Sequence, residues 1–65
     1  MASYTARVKE ILKSYGCRFD RPGKGGHEIW FSRINNYKFP VDYDIRSRHT
    51  ANAILKQADI KLKAF

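Results

Sequence analysis

The chain has 65 residues, of which 43% are hydrophobic and 14% aromatic, and its formal net charge is +7. This length allows a single domain, residues 1–65, with one small core, and argues against a second lobe and a deep substrate cavity. The aromatic content excludes a disordered basic tail, and the surplus of positive charge favours a polyanion or an acidic protein as partner.

Cys17 is the only cysteine, so no disulfide can form within the chain. Because small secreted domains usually depend on several disulfides, a reducing cytoplasm is the expected compartment. The first five residues contain no apolar targeting segment, and no apolar run is long enough to span a bilayer. We therefore expect a cytoplasmic protein with neither a targeting signal nor a membrane span.

A first helix is predicted over residues 4–15, because the apolar side chains recur there at helical spacing. Ser3 is the expected N-cap, and Gly16 stands where a left-handed residue would end the helix. The apolar stripe consists of Tyr4, Val8, Ile11, Leu12 and Tyr15.

Three short strands are predicted at residues 17–20, 27–32 and 37–42, where apolar and polar side chains alternate. Residues 21–26 and 33–36 have the composition of turns. Alternation assigns the following side chains to the core face of the sheet: Cys17, Phe19, Ile29, Phe31, Tyr37, Phe39 and Val41. The outer face is expected to carry Arg18, Glu28, Trp30 and Lys38.

Trp30 has two interpretations on this outer face. It is either a platform on which an RNA base stacks or a residue that packs over the aliphatic stems of Arg18 and Lys38. The packing interpretation is favoured, since stacking platforms usually present more than one exposed aromatic side chain. Pro40 fits an edge strand or a strand end, because it has no N–H to donate.

Thr50 is predicted to cap a second helix over residues 51–58, whose apolar stripe consists of Ala51, Ile54, Leu55 and Ala58. The tail with Ile60, Leu62 and Phe65 either extends this helix or packs against the core, and the sequence leaves both open. The element order predicts an α+β fold of two layers, α-β-β-β-α, with both helices on one face of a three-stranded antiparallel sheet.

The stretch that most clearly suggests a functional site is residues 23–30, where three glycines surround Lys24 shortly before His27. Glycine lets the backbone approach an anion closely, so the amides of Gly25 and Gly26 and the Lys24 ammonium could bind one phosphate. An imidazole exchanges a proton near neutral pH, which makes His27 a candidate general base. A glycine-rich turn is also an ordinary connection between two antiparallel strands.

Arg21 and Arg48 are candidate helpers in phosphate binding. His49 is the only other histidine, and its place at the entrance of the second helix favours a helix-entry role over that of general acid. Neither a metal nor another cofactor is expected, because Cys17 and the two histidines lack ligand-pair spacing and the carboxylates form no cluster.

The glycine–histidine turn at residues 25–30, combined with residues 11–19, 39–41 and 53–60, resembles the HicA (YcfA-like) toxins of bacterial toxin–antitoxin pairs. The resemblance spans most of the chain and implies the element order of the double-stranded RNA-binding fold. It also implies a ribonuclease that cuts messenger RNA (mRNA) and is neutralised by a HicB-type antitoxin. The functional histidine of that family corresponds to His27.

Four positions differ from the pattern of that family. Gly26 replaces the usual serine, and Glu28 stands where many members have a second histidine. Asp42 occupies a basic or histidine position after the proline of the third strand, and Asp59 replaces the glycine that ends the second helix. These differences bear on catalytic strength more than on the fold.

The favoured function is a metal-independent ribonuclease toxin, in which His27 takes the proton of a 2′-hydroxyl while the turn binds the phosphate. The alternative is a non-catalytic RNA-binding module of the same fold, although the second helix lacks the Lys-Lys-rich start that such modules use. A third interpretation, a purely structural interaction domain, would require an acidic protein partner for the surplus charge.

Overall fold

A computed structural model describes residues 3–65 of the chain. The elements follow the order α1 (Thr5–Ser14), β1 (Arg18–Pro22), β2 (His27–Ser32), β3 (Tyr37–Asp42) and α2 (Arg48–Gln57). The three strands form one antiparallel sheet in the order β1-β2-β3. The predicted α+β architecture is therefore confirmed, while the closer likeness to the double-stranded RNA-binding fold stays a prediction.

Both helices pack against one face of the sheet and share one apolar core with it. The loop between β3 and α2 also belongs to this core through Ile45, which is fully buried. The buried apolar residues are Val8, Leu12, Cys17, Trp30, Phe39, Val41, Ile45, Ala51, Ile54, Leu55, Ala58 and Ile60. Neither helix within residues 3–65 could cross a bilayer, since each has only ten residues.

The start of α1 is held by the loop that precedes α2. The Tyr4 N–H donates to the Ile45 carbonyl at 2.8 Å, and the Ile45 N–H donates to Thr5 Oγ1 at 2.8 Å. Tyr4 therefore occupies the N-cap position, and the prediction of Ser3 as N-cap is wrong, although Ser3 Oγ accepts from the Thr5 N–H at 3.2 Å. The helix ends at Ser14, and Gly16 after it has the predicted left-handed conformation, with a φ of +86° that would be strained for a residue with a side chain.

The N-cap of α2 is Ser47 rather than Thr50. Ser47 has extended backbone angles, and its Oγ accepts a hydrogen bond from the His49 N–H at 3.1 Å. Thr50 lies inside the first turn of the helix. The apolar stripe begins only at Ala51, so one polar turn of the helix precedes the pattern from which its start was predicted.

The C-terminal tail packs against the core and does not extend α2. Asp59 takes a left-handed conformation with φ +62°, which ends the helix, and Ile60 behind it is 4% exposed. The Phe65 ring meets the Tyr4 ring edge-on, with centroids 5.3 Å apart. Asp59 thus takes a conformation that usually favours glycine and that aspartate tolerates better than most residues.

The first strand is displaced relative to its prediction. It runs from Arg18 to Pro22, and the pairing with β2 shifts between Phe19 and Arg21, so that Asp20 is the extra residue of a bulge. A bulge breaks the simple alternation on which the prediction relied. Cys17 precedes the strand and is buried, in agreement with its assignment to the core.

The face assignment of β2 is wrong. Trp30 is 2% exposed and pairs with buried Phe39, whereas Ile29 and Phe31 are half-buried on the opposite face of the sheet. Both interpretations of Trp30 as an outer-face residue therefore fail.

Two more predicted core residues, Phe19 and Tyr37, are about half exposed: Phe19 47% and Tyr37 50%. The assignment of Phe39 and Val41 to the core is confirmed, and Pro40 lies in the edge strand β3.

Glu28 faces the helices and links β2 to α1. The Trp30 indole N–H donates to Glu28 Oε1 at 2.9 Å, and Lys9 Nζ lies 3.1 Å from the same oxygen. The hydrogen bond from Trp30, assisted by Lys9, lowers the pKa of the Glu28 carboxyl despite the opposing effect of burial. The residue that replaces the second histidine of the resembled family therefore has a structural contact.

Replacing Ser47 with alanine should lower the free energy of unfolding by about 1 kcal/mol, because the His49 N–H loses its capping acceptor. The matched change Thr50→Ala should cost clearly less, since Thr50 does not cap the helix. Urea unfolding followed by circular dichroism compares the two variants. Equal losses would contradict the assignment of the cap.

The Glu28 contacts should make stability depend on pH. Because the folded-state pKa is lowered, the stabilisation is complete above the unfolded-state pKa, roughly 4.3, and is lost as the pH falls through the folded value. The free energy of unfolding of the wild type should exceed that of Glu28→Gln by about 0.5–1 kcal/mol at pH ~7 and by much less at pH ~3. Urea unfolding at both pH values, with exposed Glu10→Gln as control, measures this difference. A difference that does not change with pH would contradict the assignment.

Candidate functional site

His27 and Asp42 form a pair at one end of the sheet. His27 is the first residue of β2 and lies opposite Asp42, the last residue of β3. The distance from His27 Nε2 to Asp42 Oδ1 is 2.9 Å. Because alternate side chains point to opposite faces and Trp30 points to the helices, this pair lies on the other face of the sheet. Both side chains are accessible, with exposed fractions of 47% and 41%.

Backbone hydrogen bonds hold the glycine-rich turn on both sides of His27. The Gly23 N–H donates to the His27 carbonyl at 3.0 Å, and the Tyr43 N–H donates to the Gly26 carbonyl at 2.8 Å. Between these bonds the turn brings the Lys24 carbonyl to 3.1 Å from His27 Nδ1. The turn predicted to bind phosphate thus touches the predicted catalytic histidine directly.

Two glycines of this turn have different structural roles. Gly25 has φ +66°, a left-handed conformation that is strained for residues with a Cβ atom. Gly26 has no positive φ, and a Cβ added there would meet nothing within 4 Å. The Cβ of a serine, the residue usual here in the resembled toxins, would therefore fit at Gly26 without a clash.

Both ring nitrogens of His27 face oxygen acceptors. Nε2 faces the Asp42 carboxylate and Nδ1 faces the Lys24 carbonyl. A neutral imidazole has one N–H, so both contacts are hydrogen bonds at once only in the imidazolium form. In the neutral form, one nitrogen becomes a bare acceptor at the edge of the turn. The His27 imidazole can therefore hold a proton on each nitrogen or, in its neutral form, accept a proton on the nitrogen that lacks one.

The predicted phosphate-binding residues are only partly brought together. Lys24, Gly25 and Gly26 are exposed and adjacent to His27. Arg21 pairs with Ile29 on the same sheet face, and its Nη1 lies 2.8 Å from Asp20 Oδ2. Arg48 is the exposed first residue of α2.

Arg48 and His49 are not joined to this pair. Within residues 3–65, no hydrogen bond or ion pair links either side chain to the turn or to His27. His49 is exposed in the first turn of α2, which agrees with its interpretation as a helix-entry residue. In the same part of the chain, no three side chains of histidine, cysteine, aspartate or glutamate are grouped so that they could hold a metal ion.

Asp42 is the functional candidate that sequence reasoning missed. In the sequence it is only a difference from the resembled family, yet it supplies the closest partner of His27. The signal was present in the predicted strand bounds. An antiparallel hairpin that pairs residue 32 with residue 37 also pairs residue 27 with residue 42.

Gly25→Ala should lower the free energy of unfolding by about 1–2 kcal/mol, because alanine is strained at φ +66°. Gly26→Ala should be neutral or stabilising by about 0.4–1 kcal/mol, since it restricts the unfolded chain without a clash. Thermal or urea unfolding of both variants tests this contrast. Equal effects on stability would show that the turn does not require glycine at residue 25.

Comparisons of the chain with protein-family models, with curated proteins and with solved structures each found no match. The assignment of a function to this site therefore depends on its residues and their geometry.

Proposed function

We propose that the protein is a metal-independent endoribonuclease of the HicA-like toxin type. The observation that supports this most is the contact of 2.9 Å between His27 Nε2 and Asp42 Oδ1 beside a basic, glycine-rich turn. A histidine oriented by a carboxylate is a recurring arrangement for proton transfer. Here it is accessible and lies next to groups that bind anions.

Asp42 positions the ring and His27 accepts the proton. When Asp42 holds the proton on Nε2, the neutral ring has its lone pair on Nδ1. Nδ1 now faces the Lys24 carbonyl at 3.1 Å, which is the distance at which a 2′-hydroxyl would hydrogen-bond. To reach Nδ1, the substrate hydroxyl would have to take the place of this carbonyl.

The reaction is an attack of the RNA strand on itself. The 2′-hydroxyl proton moves to His27 Nδ1 as the 2′-oxygen forms a bond to the adjacent phosphorus. The bond from phosphorus to the 5′-oxygen breaks, and water gives a proton to this leaving oxygen. The hydroxide that remains takes the proton from the imidazolium, which returns His27 to its neutral form. The products are a 2′,3′-cyclic phosphate and a 5′-hydroxyl end. Asp42 stabilises the imidazolium that forms, as a carboxylate does beside histidine in other proton-transfer sites.

Charge on the phosphate is stabilised by the turn. Lys24 supplies an ammonium, and the adjacent Gly25 and Gly26 are exposed residues whose amide N–H groups can donate to a phosphate oxygen. Arg21 can contribute a further cation from the same sheet face. Arg48, which begins α2, is a candidate for contact with the RNA backbone away from this turn.

The biological role that goes with this chemistry is that of a cytoplasmic toxin that cuts mRNA and is neutralised by a HicB-type antitoxin. The net charge of +7 suits both an RNA substrate and an acidic protein inhibitor. An inhibitor that covers Lys24 and His27 would block phosphate binding and proton transfer together.

A non-catalytic RNA-binding module is the second candidate, and one observation favours it. Both ring nitrogens of His27 already have oxygen partners, as expected for a histidine whose role is to fix the turn. In that case the same turn would bind RNA phosphates without cleaving the strand.

His27→Ala should reduce RNA cleavage by about 10²–10⁴-fold, since the general base is lost. Asp42→Asn should also reduce cleavage, by roughly tenfold or more, because the ring keeps its place but loses the charged partner that fixes its tautomer. His49→Ala, the matched control in α2, should cleave at the wild-type rate. Wild-type activity should persist in EDTA, because no step uses a metal.

The measurement is cleavage of a defined RNA, with circular dichroism to establish that each variant is folded. A folded His27→Ala variant that cuts at the wild-type rate would remove His27 from the mechanism. Loss of activity in EDTA would show that the chemistry requires a metal. RNA binding without cleavage by the wild type would support the non-catalytic module.

A further inference from the structure

The sheet face opposite the helices consists of three rows that the strand register places side by side. Arg18, Phe31 and Lys38 form one row across the three strands. Arg21, Ile29 and Pro40 form the next row, and His27 with Asp42 forms the last. We call this surface the outer sheet face. Both helices pack on the other side, so no helix covers it within residues 3–65.

Phe31 is the aromatic residue of this surface. It is half-buried and does not belong to the apolar core beneath the sheet. The Arg18 guanidinium lies over the Phe31 ring, 4.8 Å from its centroid. Phe31 thus lies between two cations on the neighbouring strands, Arg18 and Lys38. An aromatic ring with a guanidinium beside it is a surface on which a nucleobase can stack.

The charge of the outer sheet face favours an anionic partner. It carries the three cations Arg18, Arg21 and Lys38. Two carboxylates partly neutralise them. Asp20 Oδ2 lies 2.8 Å from Arg21 Nη1 and 3.6 Å from Lys38 Nζ, and Asp42 lies beside His27 in the last row. Lys24 extends the positive charge to the glycine turn at the end of the sheet. Cations therefore border the apolar strip of Ile29, Phe31 and Pro40 as far as His27.

We infer that the outer sheet face binds single-stranded RNA, with one base stacked on Phe31 and the backbone following the cations to His27. This inference rests on the proposed function in taking RNA as the polyanion, but it does not require cleavage. Phe31 and His27 are four residues apart on β2, roughly 13 Å, so a short run of nucleotides connects them.

A single strand suits this surface better than a duplex does. The faces of bases are hidden within a duplex, so a stacking residue such as Phe31 gains nothing from it. Protein interfaces of standard size have larger apolar centres than three partly exposed side chains offer. RNA is therefore the occupant that the aromatic ring and its surrounding cations favour.

The test measures RNA affinity in a His27→Ala background, in which the RNA stays intact. The probe is a fluorescent single-stranded RNA of about ten nucleotides, followed by anisotropy at several salt concentrations. Phe31→Ala should weaken binding about 5- to 100-fold, and Phe31→Trp should retain it, because an indole also stacks. Arg18→Ala should weaken binding and make its salt dependence shallower. Tyr15→Ala, which removes an exposed aromatic ring beyond the end of α1 and away from the outer sheet face, is the control.

Equal affinities of the Phe31→Ala and Tyr15→Ala variants would overturn the inference, as would equally tight binding of a duplex of the same sequence. Binding of an acidic protein partner that depends on Phe31, together with RNA binding that does not, would assign the face to a protein. Phe31-dependent RNA binding by a wild type that does not cut RNA would uphold the inference and reject the proposed nuclease. Cleavage by a protein whose RNA affinity does not depend on Phe31 would support the proposed nuclease and reject the inference.

Discussion

The inward position of Trp30 determines which side of the sheet each functional side chain occupies. Its ring is buried in the shared core, opposite Phe39, and its indole N–H is bonded to Glu28. Because alternate residues of a strand point to opposite faces, this one side chain turns His27 and Phe31 away from the helices. A shift of β2 by one residue would bury the histidine and expose the tryptophan. The candidate site therefore depends on a packing contact three residues away from it along β2.

The same contact explains where sequence reasoning succeeds and where it fails. The bounds of β2 and β3 follow from alternation and from the loop of four residues between them, so they are predicted correctly. Alternation along β2 separates Ile29 and Phe31 from Trp30, and the sequence prediction gives the core face to the first two. The paired positions 30 and 39 must share a face, and since Phe39 is buried, register outweighs composition. Ser47 was missed as a cap because the turn of α2 that it caps is polar.

Part of the candidate site is local in sequence, and that part could be predicted. Lys24, Gly25, Gly26 and His27 lie within one turn, so their proximity follows from the chain itself. Asp42 is fifteen residues further on and reaches His27 only through strand pairing, which a motif cannot reveal. The bulge at Asp20 and the packing of the tail against Tyr4 likewise depend on tertiary contacts, because neither has a distinctive local composition.

The irregularities in the two outer strands limit how this protein can pair with a strand of another chain. In β1 the bulge at Asp20 interrupts regular pairing and Pro22 has no N–H, while in β3 Pro40 interrupts the row of potential donors. A three-stranded sheet has two open edges, and regular exposed edges invite strand addition and aggregation. Here both edges are poor templates for another strand. Partners are therefore directed to the faces and turns of the domain, and copies of the chain are discouraged from joining edge to edge at high concentration.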